Sequence, residues 1–223
     1  MKTKLFTIAM MAAFMLSAMT KIQAQNFEGP CLPSAHGLNG HQSAWCGGVQ
    51  EIALSAGWNW VSFYVEADDL LEQLETSLGS NGEQIKFGNL FTNYYPDYLI
   101  WYGSLNSLEN EKLYMVKVSN ACTVELQGTR ANPTSHAITI QEGWNWIGYP
   151  CDQAVNVEAA LAGFTPANGD QIKYGNVFTT YYSGTGYSMW YGGLTELTPG
   201  QGYMYYSNST ETKTLIFQTG AKK

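Results

Sequence analysis

Cys31, His36, His41 and Cys46, with four residues between each and the next, are the first side chains whose types suggest chemistry. Two thiolates and two imidazoles form a donor set that suits tetrahedral zinc. The even spacing departs from the paired short spacers of zinc fingers, and the surrounding arm is rich in Gly, Pro and Ser. In an exported chain thiols meet an oxidising environment. A Cys31–Cys46 disulfide flanked by two exposed histidines is therefore the expected arrangement, with no metal and no other cofactor. Closing that loop would contribute up to about 3 kcal/mol in the chain-entropy account, enough to order an arm without its own core. Cys122 and Cys151 lie further along. A bond between them would staple distant parts of the chain, and four cysteines allow three pairings.

Catalysis has little to stand on. The remaining histidine, His136, precedes a strand-like segment alone, and no Gly-x-Ser-x-Gly, His-Glu-x-x-His or phosphate-cradling Gly-Lys-Ser/Thr occurs. Acids are plentiful, so a carboxylate pair for glycoside hydrolysis stays open as the weaker alternative. Modules of about 80 residues rarely offer the deep pocket such chemistry needs. The expectation is a protein without catalytic residues.

The aromatic residues offer a different chemistry, in which flat rings stack on sugar faces beside amides. Trp58, Trp60, Trp144 and Trp146 sit in segments apolar on both faces and are expected in the core. Trp101 and Trp190 are open to either role. Tyr94, Tyr95, Tyr98, Tyr181, Tyr182 and Tyr187, in two hairpin-like segments, are better surface candidates, because tyrosine tolerates half-exposure and presents both ring and hydroxyl. Cross-strand pairing inside the hairpins is the competing role. Lys86 and Lys173 complete the candidate ligand set. The favoured role for them is structural, a stem packed along a sheet with its amine at a carboxylate.

The elements that must position these residues come in two copies. Gly57-Trp58-Asn59-Trp60 recurs as Gly143-Trp144-Asn145-Trp146 at an offset of 86, and Asn81 to Asn89 recurs as Asn168 to Asn176 at 87. Trp101-Tyr102-Gly103 recurs as Trp190-Tyr191-Gly192, and Tyr114-Met115 as Tyr203-Met204, both at 89. The growing offset locates insertions in loops, one of them between Tyr95 and Tyr98, where the second copy has Ser183 to Gly186. Each copy reads β-α-β-β-β. The opening strand is expected near Ile52–Tyr64 and Ile138–Tyr149. A short helix follows at Leu70–Leu74 behind Asp68-Asp69, and at Val157–Leu161 behind Asn156. Asn-Gly turns lead into Gln-Ile-Lys strands, then a hairpin, then a closing pair of strands. Neither Cys122 nor Cys151 has a counterpart in the other copy.

A Gly-Trp-Asn strand at the start, Trp-Tyr-Gly later and Pro199-Gly200-Gln201-Gly202-Tyr203 at the end resemble a repeat module in secreted proteins of Bacteroidetes-like and other bacteria. The resemblance covers roughly residues 51–220. It implies an accessory, non-catalytic extracellular module and transfers no ligand residues. The first copy departs from it with Asn110-Glu111-Lys112-Leu113-Tyr114, so its closing turn is expected to differ.

Residues 1–24 read as a secretory signal peptide: Lys2 and Lys4 lead an apolar run from Leu5 to Met19, with a small-residue exit at Ala24. The run falls short of a membrane span of about 20 residues, so no membrane insertion is expected after cleavage. The whole chain of 223 residues is 45% hydrophobic, 14% aromatic and 13% charged, with net charge −7. Losing residues 1–24 removes three lysines and no acid, which leaves 8 basic against 18 acidic residues and a charge of −10. Such a surface repels phosphate backbones and argues against nucleic-acid partners.

The reading is an α+β, mostly β protein of two tandem duplicated β-rich modules, each with one short helix. The signal peptide spans residues 1–24, a Cys/Gly/Pro-rich arm 25–50, and the modules 51–130 and 136–220. The expected location is secreted or at the cell surface, with the periplasm also open. The expected partner is a secreted or host protein or a neutral glycan. A self-associating structural or adhesin-type surface protein is the alternative.

Overall fold

A computed structural model describes residues 47–219. The expected signal peptide, the expected Cys31–Cys46 bond and most of the arm lie outside the described residues. The chain opens with β1 (Gly47–Leu54), so Gly47 to Gln50 belong to a strand rather than to the arm. Its residues alternate exposed and buried along the whole strand, the period-two pattern of a sheet covered on one side.

The single opening strand expected in each copy is in fact two strands in different sheets. β1 ends at Leu54, and β2 (Gly57–Val61) starts after a corner. Gly57 takes φ +92°, a left-handed backbone that glycine adopts without a Cβ penalty. Asn59 fastens the corner: its Oδ1 accepts from Ser55 N at 2.9 Å, and its Nδ2 donates to Ser55 O at 2.7 Å and Gly57 O at 3.1 Å. The second copy repeats this with Gly143 at φ +84° and Asn145 bonded to Gln141 N and O at 2.9 and 2.8 Å. Gly-Trp-Asn is thus a sheet-switching corner. It puts Trp58 and Trp60 in a different sheet from Ile52 and Leu54.

The first half continues through β3 (Val65–Glu66), α1 (Leu70–Leu78), β4 (Gly82–Phe87), β5 (Leu90–Tyr95), β6 (Ile100–Gly103), β7 (Tyr114–Val118) and β8 (Cys122–Arg130). The second runs through β9 (Ile138–Ile140), β10 (Gly143–Ile147), β11 (Val155–Asn156), α2 (Val157–Ala160), β12 (Gln171–Tyr174), β13 (Val177–Gly184), β14 (Tyr187–Gly192), β15 (Glu196–Leu197), β16 (Tyr203–Ser207) and β17 (Lys213–Leu215). The fold is α+β and mostly β. Two five-stranded antiparallel sheets, β2-β7-β4-β5-β6 and β10-β16-β12-β13-β14, share one strand order. Their registers also match: Lys86 lies opposite Met115 and Phe91, and Lys173 opposite Met204 and Phe178. β1 and β8 pair in a second layer of the first half, as β9 and β17 do in the other.

The helices tie these layers together. Leu70, Leu74 and Leu78 bury one stripe of α1 at four-residue spacing. Gln73 on the same helix bonds both the N and the O of Gln127 in β8. Asp69 stands at the N-cap position, but its carboxylate accepts from the Gln73 side chain rather than from a backbone N–H. α2 is a single turn, capped by Asn156 Oδ1 accepting from Glu158 N at 2.9 Å.

Each half buries its own apolar cluster, one around Phe63, Ile85 and Val116, the other around Ile147, Ile172 and Phe217. Cys151 belongs to the second cluster, whereas Cys122 packs against the first. Among the described residues neither is paired, and the candidate Cys122–Cys151 staple is not formed, the two residues packing in different cores. Burial pushes the Cys151 thiol up to about 11, against an ordinary 9.0. The thiolate is the reactive form, so Cys151 is expected to stay unalkylated by iodoacetamide at pH 8 while the protein is folded. Peptide mass mapping before and after denaturation checks this, and native labelling of Cys151 would contradict it.

The halves meet along a seam whose contacts are exchanged between equivalent residues. Ser62 N donates to Gly200 O at 3.0 Å, and Gly148 N donates to Glu111 O at 2.8 Å. Ser62 corresponds to Gly148 by the offset of 86, and Glu111 to Gly200 by 89. Phe87 meets Trp146 edge-on with centroids 6.1 Å apart, while Trp60 meets Tyr174, the counterpart of Phe87, at 6.1 Å. Such an exchange is the mark of a two-fold interface. Leu113 packs against Gly202, 89 residues later, so at this point of the seam two residues related by the offset face one another. A Cβ on Gly202 would lie 2.5 Å from Leu113 Cδ1, so leucine at both positions would collide.

The closing turns make the same bonds despite the first copy's departure from Pro-Gly-x-Gly-Tyr. Lys112 N reaches Glu109 O and Gln201 N reaches Thr198 O, at 3.3 and 3.2 Å. In each, a tyrosine hydroxyl accepts from the first turn residue, Tyr114 from Glu109 N and Tyr203 from Thr198 N. The expected difference lies in one backbone angle, since Gly200 takes φ +82° and Glu111 is not left-handed. His136 secures the connection between halves, its Nδ1 2.7 Å from Glu111 Oε1 and its Nε2 2.8 Å from Glu66 Oε1.

One residue other than glycine is left-handed among the described residues, Leu99 at φ 56° in the tip between β5 and β6. Its side chain is exposed and loses little contact if removed. Because a left-handed L-residue costs roughly 1–2 kcal/mol, Leu99→Gly is expected to stabilise the protein by about 1 kcal/mol in urea unfolding. An unchanged or lowered midpoint would contradict the assignment of strain.

Candidate functional site

The side of each five-stranded sheet opposite the core is its most unusual surface. Register places Trp58 and Trp60 of β2, Met115 and Lys117 of β7, Gln84 and Lys86 of β4, Phe91, Asn93 and Tyr95 of β5, and Ile100 and Tyr102 of β6 on one side. The second sheet repeats this with Trp144, Trp146, Met204, Tyr206, Gln171, Lys173, Phe178, Thr180, Tyr182, Tyr187, Met189 and Tyr191. Trp58 and Trp144 are 43% and 46% exposed, and Tyr102 and Tyr191 are both 71% exposed. The expectation that Trp58 and Trp144 lie in the core is therefore overturned. The corner at Gly57 and Gly143 turns Val61 and Ile147 inward and leaves these indoles outward. Trp60 and Trp146 are half-buried because they pack across the seam.

The other candidates divide by strand parity. Tyr95, Tyr98, Tyr182 and Tyr187 are exposed. Tyr94, Trp101, Tyr181 and Trp190 lie on the core side, where Tyr94 packs on Trp101 at 5.5 Å and Tyr181 on Trp190 at 5.3 Å. These two pairs are the cross-strand partners of the hairpins. The Trp101 indole N–H is the one buried side-chain polar atom without a partner among the described residues. Tyr102 and Tyr191 were accessible to inspection of the sequence, since each follows a repeated tryptophan and must point the opposite way in a strand.

Lys86 and Lys173 are on the exposed face, but their amines make no ion pair among the described residues, contrary to the expected carboxylate partner. Lys86 Nζ lies 5.1 Å from the Trp58 ring centroid, and Lys173 Nζ lies 4.7 Å from that of Trp144. Distances of this size give a cation–π attraction of about 0.5–1 kcal/mol at exposed sites. Lys173 Nζ is also 5.7 Å from the ring of Trp60, in the other half. One ammonium thus bridges an indole from each sheet, and the two aromatic faces meet at the seam. Gln84 Nε2 donates to Asn93 Oδ1 at 2.6 Å beside Lys86, setting an amide pair among the rings.

A recess of about 200 Å³ lies at the same seam, lined by Glu51, Trp60, Tyr174 and Gln201 among others. It contains a single carboxylate, and the nearby Asn59 amide is already committed to the corner. Among the described residues, no three His, Cys, Asp or Glu side chains group as a metal site, and no helix is long and apolar enough to cross a membrane. The Cys31, His36, His41 and Cys46 set lies outside the described residues. The chain matches no family model, no curated protein and no solved structure.

Proposed function

We propose that this protein is an exported, non-catalytic glycan-binding protein. On this reading, two tandem copies of one module, residues 51–130 and 136–220, present their aromatic sheet faces to a polysaccharide outside the cell or at its surface. The observation that carries the proposal is the pair of equivalent faces on which Trp58 and Trp144 stand bare beside exposed tyrosines and amides. Rings of this kind offer flat apolar area at small entropic cost and keep a polar edge for hydroxyls. Two faces joined at one seam let weak contacts add through effective concentration. Duplication is supported by the repeated motifs and by the common strand order and register. Export rests on the pattern of residues 1–24, and the expectation of no catalysis on the sequence, which has no Gly-x-Ser-x-Gly, His-Glu-x-x-His or Gly-Lys-Ser/Thr motif.

The test is retention of the protein on a panel of immobilised polysaccharides, followed by titration of whichever is bound. Trp58→Ala and Trp144→Ala should each weaken binding roughly tenfold or more, since an anchoring aromatic at an interface carries upwards of 1–2 kcal/mol. Both side chains are largely outside the core, so folding should persist. Undiminished binding by both variants would remove the faces from the account.

Self-association has one specific observation in its favour. β14, Tyr187–Gly192, is a six-residue edge strand with no charge and no proline, and strands like it can template pairing with another chain. Concentration-dependent size in solution that Met189→Lys abolishes would favour that reading over glycan binding.

A further inference from the structure

Resting on the glycan reading, we infer that the preferred ligand is an anionic glycan, one whose sugars carry carboxylates, despite the acidity of the whole chain. Charge is unevenly placed. The aromatic faces carry three cations, Lys86, Lys117 and Lys173, and one carboxylate, that of Glu83 at the irregularity in β4. Lys117 is neutralised by Glu83 at 2.6 Å, which leaves Lys86 and Lys173 as the free ammonium groups of the two faces. They occupy the same position in each copy, at the offset of 87. Glu51 lines the recess beside Trp60, but other acids lie elsewhere, for example Glu72 and Glu75 on α1. At ionic strengths near physiological, exposed charges more than about 8 Å apart are largely screened, so the sign of the whole chain does not by itself set the charge felt at the two lysines.

The lysines also decide what a ligand must offer. Each ammonium rests on the indole that a sugar ring would need, Lys86 on Trp58 and Lys173 on Trp144. A neutral sugar stacking there displaces the ammonium from the ring and gives it at most a hydroxyl. A uronate supplies a carboxylate to the displaced ammonium, so the lost cation–π contact is replaced by a charge-assisted hydrogen bond, which a neutral sugar cannot offer. Lys173 touches Trp60 as well as Trp144, so a carboxylate drawn to it would lie at the junction of the faces. A polymer crossing the seam would then meet both lysines.

The experiment compares the full chain on three uronate polysaccharides (polygalacturonate, alginate and glucuronoxylan) with the same polymers after methyl esterification, which removes the charge and keeps the backbone. Wild type should bind at least one free acid about tenfold or more tightly than its ester, and that preference should shrink as salt rises. Lys86→Gln with Lys173→Gln should abolish the preference, so that the variant binds the acid no more tightly than it binds the ester. Equal binding of acid and ester by wild type overturns the anionic inference and leaves the glycan reading standing. A preference that survives the double substitution overturns the assignment to these lysines. Binding to none of the acids or esters overturns the anionic inference, and if the neutral polysaccharides are not retained either, the glycan reading falls with it.

Discussion

Gly148→Val is expected to remove roughly 4 kcal/mol or more of stability, at the upper end of what single substitutions do. A Cβ at position 148 would overlap the backbone oxygen of Asn110 and press on Lys112 N at 2.7 Å, and neither is a flexible side-chain end. The backbone there cannot retreat freely. Gly148 N donates to Glu111 O, Asn110 Nδ2 donates to Phe63 O and Val65 O at 3.0 Å each, and Glu111 Oε1 meets His136. Relief would therefore have to break a buried network that fixes the first half to the second. Its counterpart, Ser62, is accessible to a milder change. Ser62→Ala removes a hydroxyl that accepts from Tyr149 N at 3.1 Å and donates to Gln201 O at 2.6 Å, leaving buried groups unpaired at about 1–3 kcal/mol. Chemical denaturation of the two variants beside wild type should show this ranking. A Gly148→Val midpoint equal to wild type would mean that the seam is not as close as described.

The second large effect is alkaline unfolding. Tyr114, Tyr149, Tyr203 and Tyr205 are at most 1% exposed, and burial holds each phenol above its ordinary value of 10.0. For Tyr205 the Asp170 carboxylate, at 2.7 Å from its hydroxyl, adds to the rise. In the unfolded chain these phenols ionise near pH 10, while in the folded chain they stay neutral. The stability they hold is therefore complete below pH 10 and is lost as pH rises above it. Each phenol contributes a slope of about 1.4 kcal/mol per pH unit once its unfolded form is ionised. Four acting together give roughly 5 kcal/mol per unit, enough to exhaust an ordinary domain stability of about 5–15 kcal/mol within a few units. Folding should fail cooperatively between about pH 11 and 13, with a step of tyrosinate absorbance accompanying the loss of structure. Tyrosinate signal from all the buried phenols with the fold intact would contradict their burial.

Local chemistry was legible in the sequence to the extent that it was local. The motif repeats, the hairpins with their variable tips, the helix starts at Leu70 and Val157 and the Asn156 cap depend on neighbouring residues, and the structure places them near where the pattern does. What the sequence concealed depends on distant partners. A segment apolar on both faces reads the same whether both faces are covered by one core or one faces a seam. For that reason Trp58 and Trp144 read as interior. The clue was Asn59 and Asn145, whose amides can fasten a corner only if the chain turns back on itself two residues earlier. The mismatch of Leu113 with Gly202 was visible as a departure from the repeat, but the contact between the two positions was not. Of the candidate ligand residues, Tyr95, Tyr98, Tyr182 and Tyr187 are exposed, as tyrosine chemistry suggested, and parity alone separates them from Tyr94, Trp101, Tyr181 and Trp190. Lys86 and Lys173 stood out as a repeated cation among few, and only the fold reveals that each rests on an indole.

The account depends on the outward indoles being the surface that a ligand covers. Tryptophan fluorescence of the full chain during titration with a polysaccharide it retains reads this directly. Emission should shift to shorter wavelength and acrylamide quenching should fall as the ligand saturates, with both changes lost in a Trp58→Phe, Trp144→Phe variant that still binds. Saturating ligand with emission and quenching unmoved would place the binding surface elsewhere on the molecule.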